Sequence, residues 1–224
     1  MIKTESNQVV IFGAGRIAEL VHFYLTHDSE FEIAGFVVDD EYLSSRRFCG
    51  LPTVSASKAS LNFPPEAFSM FVALSYTDMN SVRTEKCEWA RACGYRLISY
   101  VSSRATTFHD LTHGDNCLIL EENTIQPFVT LGNNVFLWSG NHIGHHSVID
   151  NNVFAASHCV ISGNCQIGAN SFLGVNCTIQ DGLKIGPSCF VGPQALVRKD
   201  LAAESVLISA PTSIHRLSSR NLSI

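Results

Sequence analysis

Residues 161–190 read ISGNCQ, IGANSF, LGVNCT, IQDGLK and IGPSCF, five consecutive hexads that each begin with Ile or Leu. The same phase extends from Ile119 to about Ala202, and thirteen of its fourteen hexads begin with Ile, Leu or Val. A strand repeats every two residues and a helix every 3.6, whereas a fixed period of six is typical of a parallel β-helix. We therefore predict triangular coils of three hexads each, in which positions eighteen apart stack on one another.

The places within a hexad predict what fills the coils. The aliphatic first place and the mostly small fifth place are expected to point inward, and Gly at the second place is expected to relieve the corners. The fifth place also holds five of the eight cysteines, namely Cys117, Cys159, Cys165, Cys177 and Cys189. Because a free Cys packs as a small apolar residue and no Cys-x-x-Cys pair occurs, we interpret them as structural thiols and predict no metal site.

The first hundred residues predict a different architecture. The segment 8–12 (QVVIF) is typical of a buried strand, and a helix is expected from about Ile17 to Thr26. Further strands are predicted at 31–38, 52–55, 68–75 and 96–101, with a helix at 80–93 and one more short strand within 204–209. The pattern favours an α/β, Rossmann-like unit over residues 1–102. Residues 103–224 would form the β-helix and a polar tail, which begins at about Ser213.

A glycine turn joins the first predicted strand to the first predicted helix. It reads Gly13-Ala14-Gly15-Arg16, and such a turn offers backbone N–H groups to a phosphate. Asp39-Asp40 ends the second strand, where an acidic side chain reads a ribose or base edge. The alternatives are a tight turn without a ligand and a solvated acidic loop.

Composition argues against several classes of function. The net charge of −5 provides no basic stripe for nucleic acid. The sequence contains no run of about eighteen or more apolar residues, so we predict no membrane span. Residues 1–7 lack the apolar core of a signal peptide. We therefore expect a cytoplasmic protein that binds neither nucleic acid nor a membrane.

The order of a glycine-turn α/β unit and a hexapeptide β-helix resembles one family of sugar acyltransferases. That family includes the bacillosamine-pathway N-acetyltransferase and the sialic acid O-acetyltransferases. The resemblance also depends on Asp39-Asp40, on Arg83 and on NHIGHHSVIDNNVF at 141–154. It implies a left-handed β-helix that forms a homotrimer, with acetyl-CoA in a groove between subunits. It also implies a nucleotide-linked sugar bound by the N-terminal unit.

Specific residues follow from the resemblance. His145 matches the family's general base, and His146 stands where the family has an acidic residue that orients the base. The implied nucleotide-binding residues are Gly13, Ala14, Gly15, Arg16, Asp39, Asp40 and Arg83. The implied acetyl-CoA and oxyanion residues are Gly163, Phe154, Val175, His158 and Asn176, and His142 would meet the acceptor.

The stacking of coils adds detail around His145. Pro127 and Gly163 stack on either side of it and leave room for a substrate. Since Phe154 replaces a histidine of the bacillosamine enzyme, we expect a backbone N–H, best that of Gly163, to bind the oxyanion. Asp181 is two coils away, about 10 Å by the spacing of strands, so we expect no direct contact with His145.

Three functions fit these residues. The preferred one is acetyl-CoA-dependent N-acetylation of a nucleotide-linked amino sugar, because the glycine turn and Asp39-Asp40 suit a nucleotide. The alternatives are O-acetylation of a sugar or sialic acid by the same histidine, and a trimeric scaffold without enzymatic activity. A corner histidine without a function and a structural His158–Asn176 patch also remain open at this stage.

Overall fold

The computed structural model describes residues 7–212 and Arg220. The first part of the chain contains β1 (Gln8–Phe12), α1 (Arg16–His27), β2 (Glu32–Val38), β3 (Arg47–Phe48), β4 (Leu51–Ser55), α2 (Ala59–Asn62), β5 (Ser69–Val72), α3 (Ser81–Ala92) and β6 (Tyr100–Val101). Strands β1 to β5 form one sheet in the order β3-β4-β2-β1-β5, and only the β3–β4 pair is antiparallel. The predicted helices and most strands agree with these bounds within a few residues.

A two-residue strand then recurs every six residues. The strands are β7 (Leu118–Ile119), β8 (Thr124–Ile125), β9 (Thr130–Leu131), β10 (Phe136–Leu137), β11 (His142–Ile143), β12 (Val148–Ile149), β13 (Phe154–Ala155), β14 (Val160–Ile161), β15 (Gln166–Ile167), β16 (Phe172–Leu173), β17 (Thr178–Ile179), β18 (Lys184–Ile185), β19 (Phe190–Val191) and β20 (Leu196–Val197). A last strand, β21, spans Val206–Leu207. Strands β7 to β20 pair in parallel with strands eighteen residues away, as Ile143 does with Ile125 and Ile161, whereas β21 pairs with β19 in a shorter step that sets Val206 beside Phe190. The predicted β-helix of three hexads per coil is therefore confirmed.

The coils have three faces. The first contains β6, β7, β10, β13, β16, β19 and β21, and we call it the covered face. The second face contains β8, β11, β14, β17 and β20, and the third contains β9, β12, β15 and β18. Inside, the first-place aliphatics and the fifth-place residues form one continuous buried core, including all five fifth-place cysteines. Burial raises the pKa of Cys117 to about 11, so this thiol is a poor source of thiolate.

The corners depend on the fourth place of the hexad rather than on the second. Residues at the fourth place adopt a positive φ, as Asn164 (56°), Asn170 (61°) and Asn176 (58°) do. Asn tolerates this left-handed conformation better than most residues. The second-place glycines have another role, because a Cβ on Gly168 would lie 2.5 Å from the backbone N of Pro187 on the next coil. The expectation that they relieve the corners is therefore wrong: they let successive coils approach.

The α/β unit packs on the covered face through aromatic side chains. Phe136, Phe154, Phe172 and Phe190 form a ladder with centroid separations of 6.2, 5.7 and 5.1 Å. Phe71 of β5 stacks on Phe136, and Tyr76 contacts both Phe154 and Phe172. The N-terminal sheet and the ladder share one hydrophobic cluster. This packing leaves the second and third faces uncovered by the α/β unit.

The segment predicted as one strand at 96–101 is divided between the two parts of the molecule. Leu97 forms an isolated parallel bridge with Met70 of β5, whereas β6 pairs with β7 and begins the covered face. The polar tail predicted from Ser213 lies outside the described residues, apart from Arg220. Within the described part of the chain, no helix is long and apolar enough to cross a membrane. The same residues hold no group of three or more His, Cys, Asp or Glu side chains arranged to bind a metal ion.

Candidate active site

The corner between the second and third faces lies opposite the covered face, and we call it the outer corner. His145 is there, between β11 and β12, with an exposed side chain. Its backbone N–H donates to Oε1 of Gln126 at 2.8 Å. Sequence reasoning had no role for Gln126, whose second-place side chain reaches the next coil. The amide contact fixes the backbone from which the imidazole projects.

The imidazole of His145 is held by its neighbour. The Nδ1 atoms of His145 and His146 are 3.1 Å apart, so one of them donates to the other. If His145 carries its proton on Nδ1, its Nε2 has the free lone pair that a general base needs. His146 has φ 59° and packs on the ring of Phe128, with centroids 4.6 Å apart. A second histidine thus contacts the imidazole at the place where the family has an acidic residue.

Gly163 lies beneath the imidazole on the next coil. A Cβ on Gly163 would be 2.7 Å from Cε1 of His145 and 2.9 Å from its Nε2. The same Cβ would be 2.9 Å from Oδ1 of Asp181 on the following coil. The distance between Nε2 and this carboxylate oxygen therefore cannot exceed twice 2.9 Å. It is much shorter than the separation of about 10 Å expected from the spacing of two coils. The ends of the two side chains therefore lean toward each other over a glycine, and no hydrogen bond joins them.

The backbone N–H of Gly163 has no acceptor among residues 7–212. At the equivalent place one coil earlier, Gln126 supplies its side-chain oxygen to the N–H of His145. The residue stacked on Gln126 is Gly144, which has no side chain to offer. A Cβ on Gly144 would lie 2.5 Å from the Gly163 N atom and 2.4 Å from the Ser162 carbonyl carbon. Gly144 therefore both allows the coils to approach and leaves this N–H open.

Other predicted acyl-donor residues lie elsewhere. His158, Val175 and Asn176 are exposed at the corner between the covered and second faces. His158 packs over Gly140, where a Cβ would meet its ring at 2.4 Å. His142, half-buried in β11, lies on the second face between this corner and the outer corner. The second face therefore extends from the corner with His158, Val175 and Asn176 to the outer corner with His145.

Phe154 does not join them. Its side chain is 3% exposed and has Phe136 and Phe172 stacked on its two sides in the ladder. Tyr76 covers its edge. Because assembly can only bury it further, Phe154 offers no surface to a ligand. The prediction that it meets acetyl-CoA is wrong, since the covered face was not identified from sequence.

A second opening lies at the carboxyl ends of β1 and β2. The cavity has a volume of about 370 Å³, and its lining includes Gly13, Ala14, Gly15, Asp39 and Tyr42. Gly13 has φ 122°, and a Cβ there would be 2.9 Å from the Ala73 carbonyl oxygen, so the turn needs glycine. Gly15 is the N-cap of α1 and faces open space, with Arg16 beside it lining an adjoining cavity.

The two aspartates after β2 differ in their contacts. Asp39 lines the cavity and pairs with Lys86 Nζ at 2.8 Å. Asp40 accepts hydrogen bonds from the backbone N–H and the hydroxyl of Ser57, which lower the pKa of its carboxyl. The structure thus brings Asp39 to the cavity, whereas Asp40 is engaged in holding the turn at 56–58.

Arg83 is not at this cavity. It is completely buried in α3, and its guanidinium lies 4.2 Å from the centroid of Phe136. It donates to Oδ1 of Asn134 and to the carbonyl oxygens of Ser75, Asn134 and Asn152. Burial lowers its pKa to about 10. The predicted nucleotide contact is wrong: Arg83 instead joins α3 to two successive coils.

The fold and the repeat define this chain as a hexapeptide-repeat protein. The family model described as bacterial transferase hexapeptide (six repeats) matches residues 164–199. The repeat and the stacked parallel sheets fit a left-handed parallel β-helix. No curated protein matches the chain in sequence.

Solved structures resemble nearly the whole chain. The acetyltransferase domain of PglB from Neisseria gonorrhoeae FA1090, in complex with acetyl coenzyme A, has a TM-score of 0.77 at 20% identity, covering 90% of this chain and 95% of its own. PerB from Caulobacter crescentus, in complex with CoA and GDP-perosamine, has a TM-score of 0.70 at 23% identity, covering 89% and 92%. WeeI from Acinetobacter baumannii AYE has a TM-score of 0.67 at 20% identity, covering 88% and 94%. The resemblance inferred from the sequence is thereby confirmed at the level of the fold.

Proposed function

We propose that this protein is an acetyl-CoA-dependent N-acetyltransferase that acts on a nucleotide-linked amino sugar. The observation that carries the proposal is the outer corner, where Nε2 of His145 opens beside the unpaired N–H of Gly163. The similar structures support it, since one is an acetyltransferase domain holding acetyl coenzyme A and another holds CoA with GDP-perosamine. A cytoplasmic location is part of the proposal.

The corner provides the two groups that acyl transfer from a thioester needs. The acceptor nitrogen attacks the thioester carbonyl carbon, and Nε2 of His145 takes the proton that the nitrogen loses, which is worth roughly 10²–10⁴-fold. The Gly163 N–H donates to the oxyanion, and one such donor is worth about 3–4 kcal/mol. The carbon–sulfur bond then breaks, and the CoA thiolate takes up a proton. No residue of the chain needs to carry the acetyl group.

The α/β unit supplies the nucleotide site in this proposal. We assign residues 1–102 to a Rossmann-like, nucleotide-sugar-binding domain and 103–224 to the acyltransferase domain. The glycine turn and the first N–H groups of α1 suit a phosphate, because a helix N-terminus favours an anion. Asp39, at the opposite wall, suits a ribose or base edge.

The two sites of one subunit lie on different sides of the β-helix. The α/β unit packs on the covered face, whereas His145 is at the corner opposite that face. A sugar held at the glycine turn must therefore meet the His145 of a neighbouring subunit. We propose a homotrimer in which acetyl-CoA lies along the second face, beside His142, His158, Val175 and Asn176.

The primary test is a thiol-release assay with acetyl-CoA against a panel of nucleotide-linked sugars. The panel begins with GDP-perosamine and pairs each amino sugar with its hydroxyl analogue. Thiol release with an amino sugar supports the proposal. Release only with hydroxyl analogues would establish the O-acetyltransferase alternative, and a trimer that never releases thiol would favour a scaffold.

A mixing experiment tests the shared site. Gly15→Val alters only the glycine turn, and His145→Ala removes only the base. The assay uses a sugar-nucleotide concentration far below the raised KM of Gly15→Val, so that neither variant alone turns over. If each site joins the turn of one subunit to the His145 of its neighbour, co-assembled variants should then regain about a quarter of wild-type activity, because half of all subunits contribute an intact turn and half an intact base. Recovery no greater than the two separate variants would mean that each site belongs to one subunit.

A further inference from the structure

Asp181 is an exposed carboxylate that sequence reasoning set aside. It occupies the third place of its hexad, as His145 does two coils earlier, and Gly163 occupies that place between them. No hydrogen bond or ion pair of its carboxylate occurs within residues 7–212. An acid without a partner, aimed at the open nitrogen of the proposed base, is available to a ligand.

The gap between the two side chains has the size of one acceptor atom. The Cβ position above Gly163 is 2.9 Å from His145 Nε2 and 2.9 Å from Asp181 Oδ1. A ligand atom must lie farther out than that point, which is too close to the Gly163 backbone, but the ends of both side chains face this opening above the glycine. The unpaired N–H of Gly163 belongs to the residue beneath this gap, and in the proposed reaction it binds the thioester carbonyl oxygen beside the acceptor atom.

We propose that Asp181 binds the acceptor as a primary ammonium group and thereby makes the site selective for an amine over a hydroxyl. The inference rests on the proposed function and deepens it. An ammonium adds the attraction of its own positive charge to the hydrogen bond it donates to a carboxylate, whereas a hydroxyl donates a hydrogen bond but carries no charge. The bound ammonium releases one proton to bulk water and becomes a nucleophilic amine. The amine attacks the thioester carbonyl carbon and loses a second proton as the amide forms and the carbon–sulfur bond breaks. His145 Nε2, in contact with the same nitrogen, receives the proton released during attack, and the CoA thiolate leaves with a proton from solvent.

The test is Asp181→Asn, which keeps the shape of the side chain and removes its charge. With GDP-perosamine, or the amino sugar that the panel identifies, we expect KM for the sugar to rise at least tenfold, as for a hydrogen bond to a charged group. The KM for acetyl-CoA and the kinetics with the hydroxyl analogue should stay within about threefold. Asp150→Asn removes the same charge near the next corner and serves as the matched control.

The outcomes separate the inference from the function. A fall in kcat that is equal for amine and hydroxyl, and is rescued by Asp181→Glu, would show that Asp181 positions the imidazole and would overturn amine selection. Unchanged kinetics of Asp181→Asn in a folded trimer would also overturn amine selection. The proposed function would still stand in that case, provided that the wild-type protein acetylates the amino sugar. If the wild-type protein prefers hydroxyl acceptors, the N-acetyltransferase proposal and this inference both fail.

Discussion

Gly163→Ala should separate activity from stability more cleanly than any other change at the outer corner. The three atoms nearest to the new Cβ all belong to the ends of the His145 and Asp181 side chains, at 2.7 to 2.9 Å. Ordinary contact begins at 3.4 Å, so these side chains must retreat by at least half an ångström. Ala169 occupies the same place of another hexad with its Cβ accommodated. The fold should therefore accept alanine, and only the proposed catalytic groups should move.

The expected magnitude follows from that displacement. A misplacement of about 1 Å costs roughly a hundredfold in rate, equivalent to about 2.7 kcal/mol in the barrier. We expect kcat to fall between tenfold and a hundredfold, since the required movement is somewhat smaller. The free energy of unfolding should change by less than about 0.5 kcal/mol, as for other changes at a surface site.

A double-mutant cycle with His145→Ala provides the assay. Thiol release gives kcat, and denaturant unfolding gives stability. Because the new methyl lowers kcat through the imidazole, Gly163→Ala should have little further effect on kcat once His145 is alanine, whereas its displacement of Asp181 should still raise KM for the sugar. Gly144→Ala is the contrasting variant, since its Cβ would meet the backbone of the next coil and should lower stability. Full activity in a folded Gly163→Ala protein would refute the placement of the reaction above Gly163.

Three further outcomes are expected. His145→Ala should lower kcat roughly a hundredfold or more while light scattering still detects the trimer. His146→Ala should lower kcat about tenfold, because it removes only the group that holds the imidazole. Gly15→Val should raise KM for the nucleotide sugar and leave KM for acetyl-CoA unchanged, because Gly15 faces open space at the cavity; an equal rise in both would make the turn structural. Hydrogen bonds from Ser103 and Tyr100 hold the pKa of Asp28 at about 2, against an ordinary 3.8. A carboxyl whose pKa is lower in the folded than in the unfolded protein stabilises the fold at pH values above its unfolded-state pKa. This stabilisation should therefore disappear as the pH falls from 3.8 to about 2. Asp28→Asn should remove that pH dependence from acid unfolding.

The period of six predicted the β-helix because it depends only on side-chain size at the inward places. Ile143 and Cys159 are inside for the reason that sequence alone provides: an aliphatic first place and a small fifth place fill a narrow prism. The left-handed fourth place also had a signal, the recurring Asn at 152, 164, 170 and 176.

The contacts of individual side chains were less predictable. Coil spacing measures the distance between backbones, so it could not reveal that Asp181 and His145 converge over Gly163. Arg83 matched a family position on a helix, but its hydrogen-bond acceptors on Asn134 and Asn152 are 51 and 69 residues away. Whether a helical Arg is buried depends on how that helix packs on the coils, which no local pattern specifies.

The eighteen-residue coil makes the length of this chain a stepwise variable. Adding one whole coil after β20 would lengthen the prism by about 4.8 Å and leave every earlier corner in place. Adding the same eighteen residues between β11 and β14 would keep the hexad phase and the buried core intact, yet it would move His145 one coil away from Gly163. Relatives of this protein can therefore differ in length toward the carboxyl-terminal end of the β-helix. The spacing from residue 145 through 163 to 181 cannot change, because a change would separate the three residues of the outer corner.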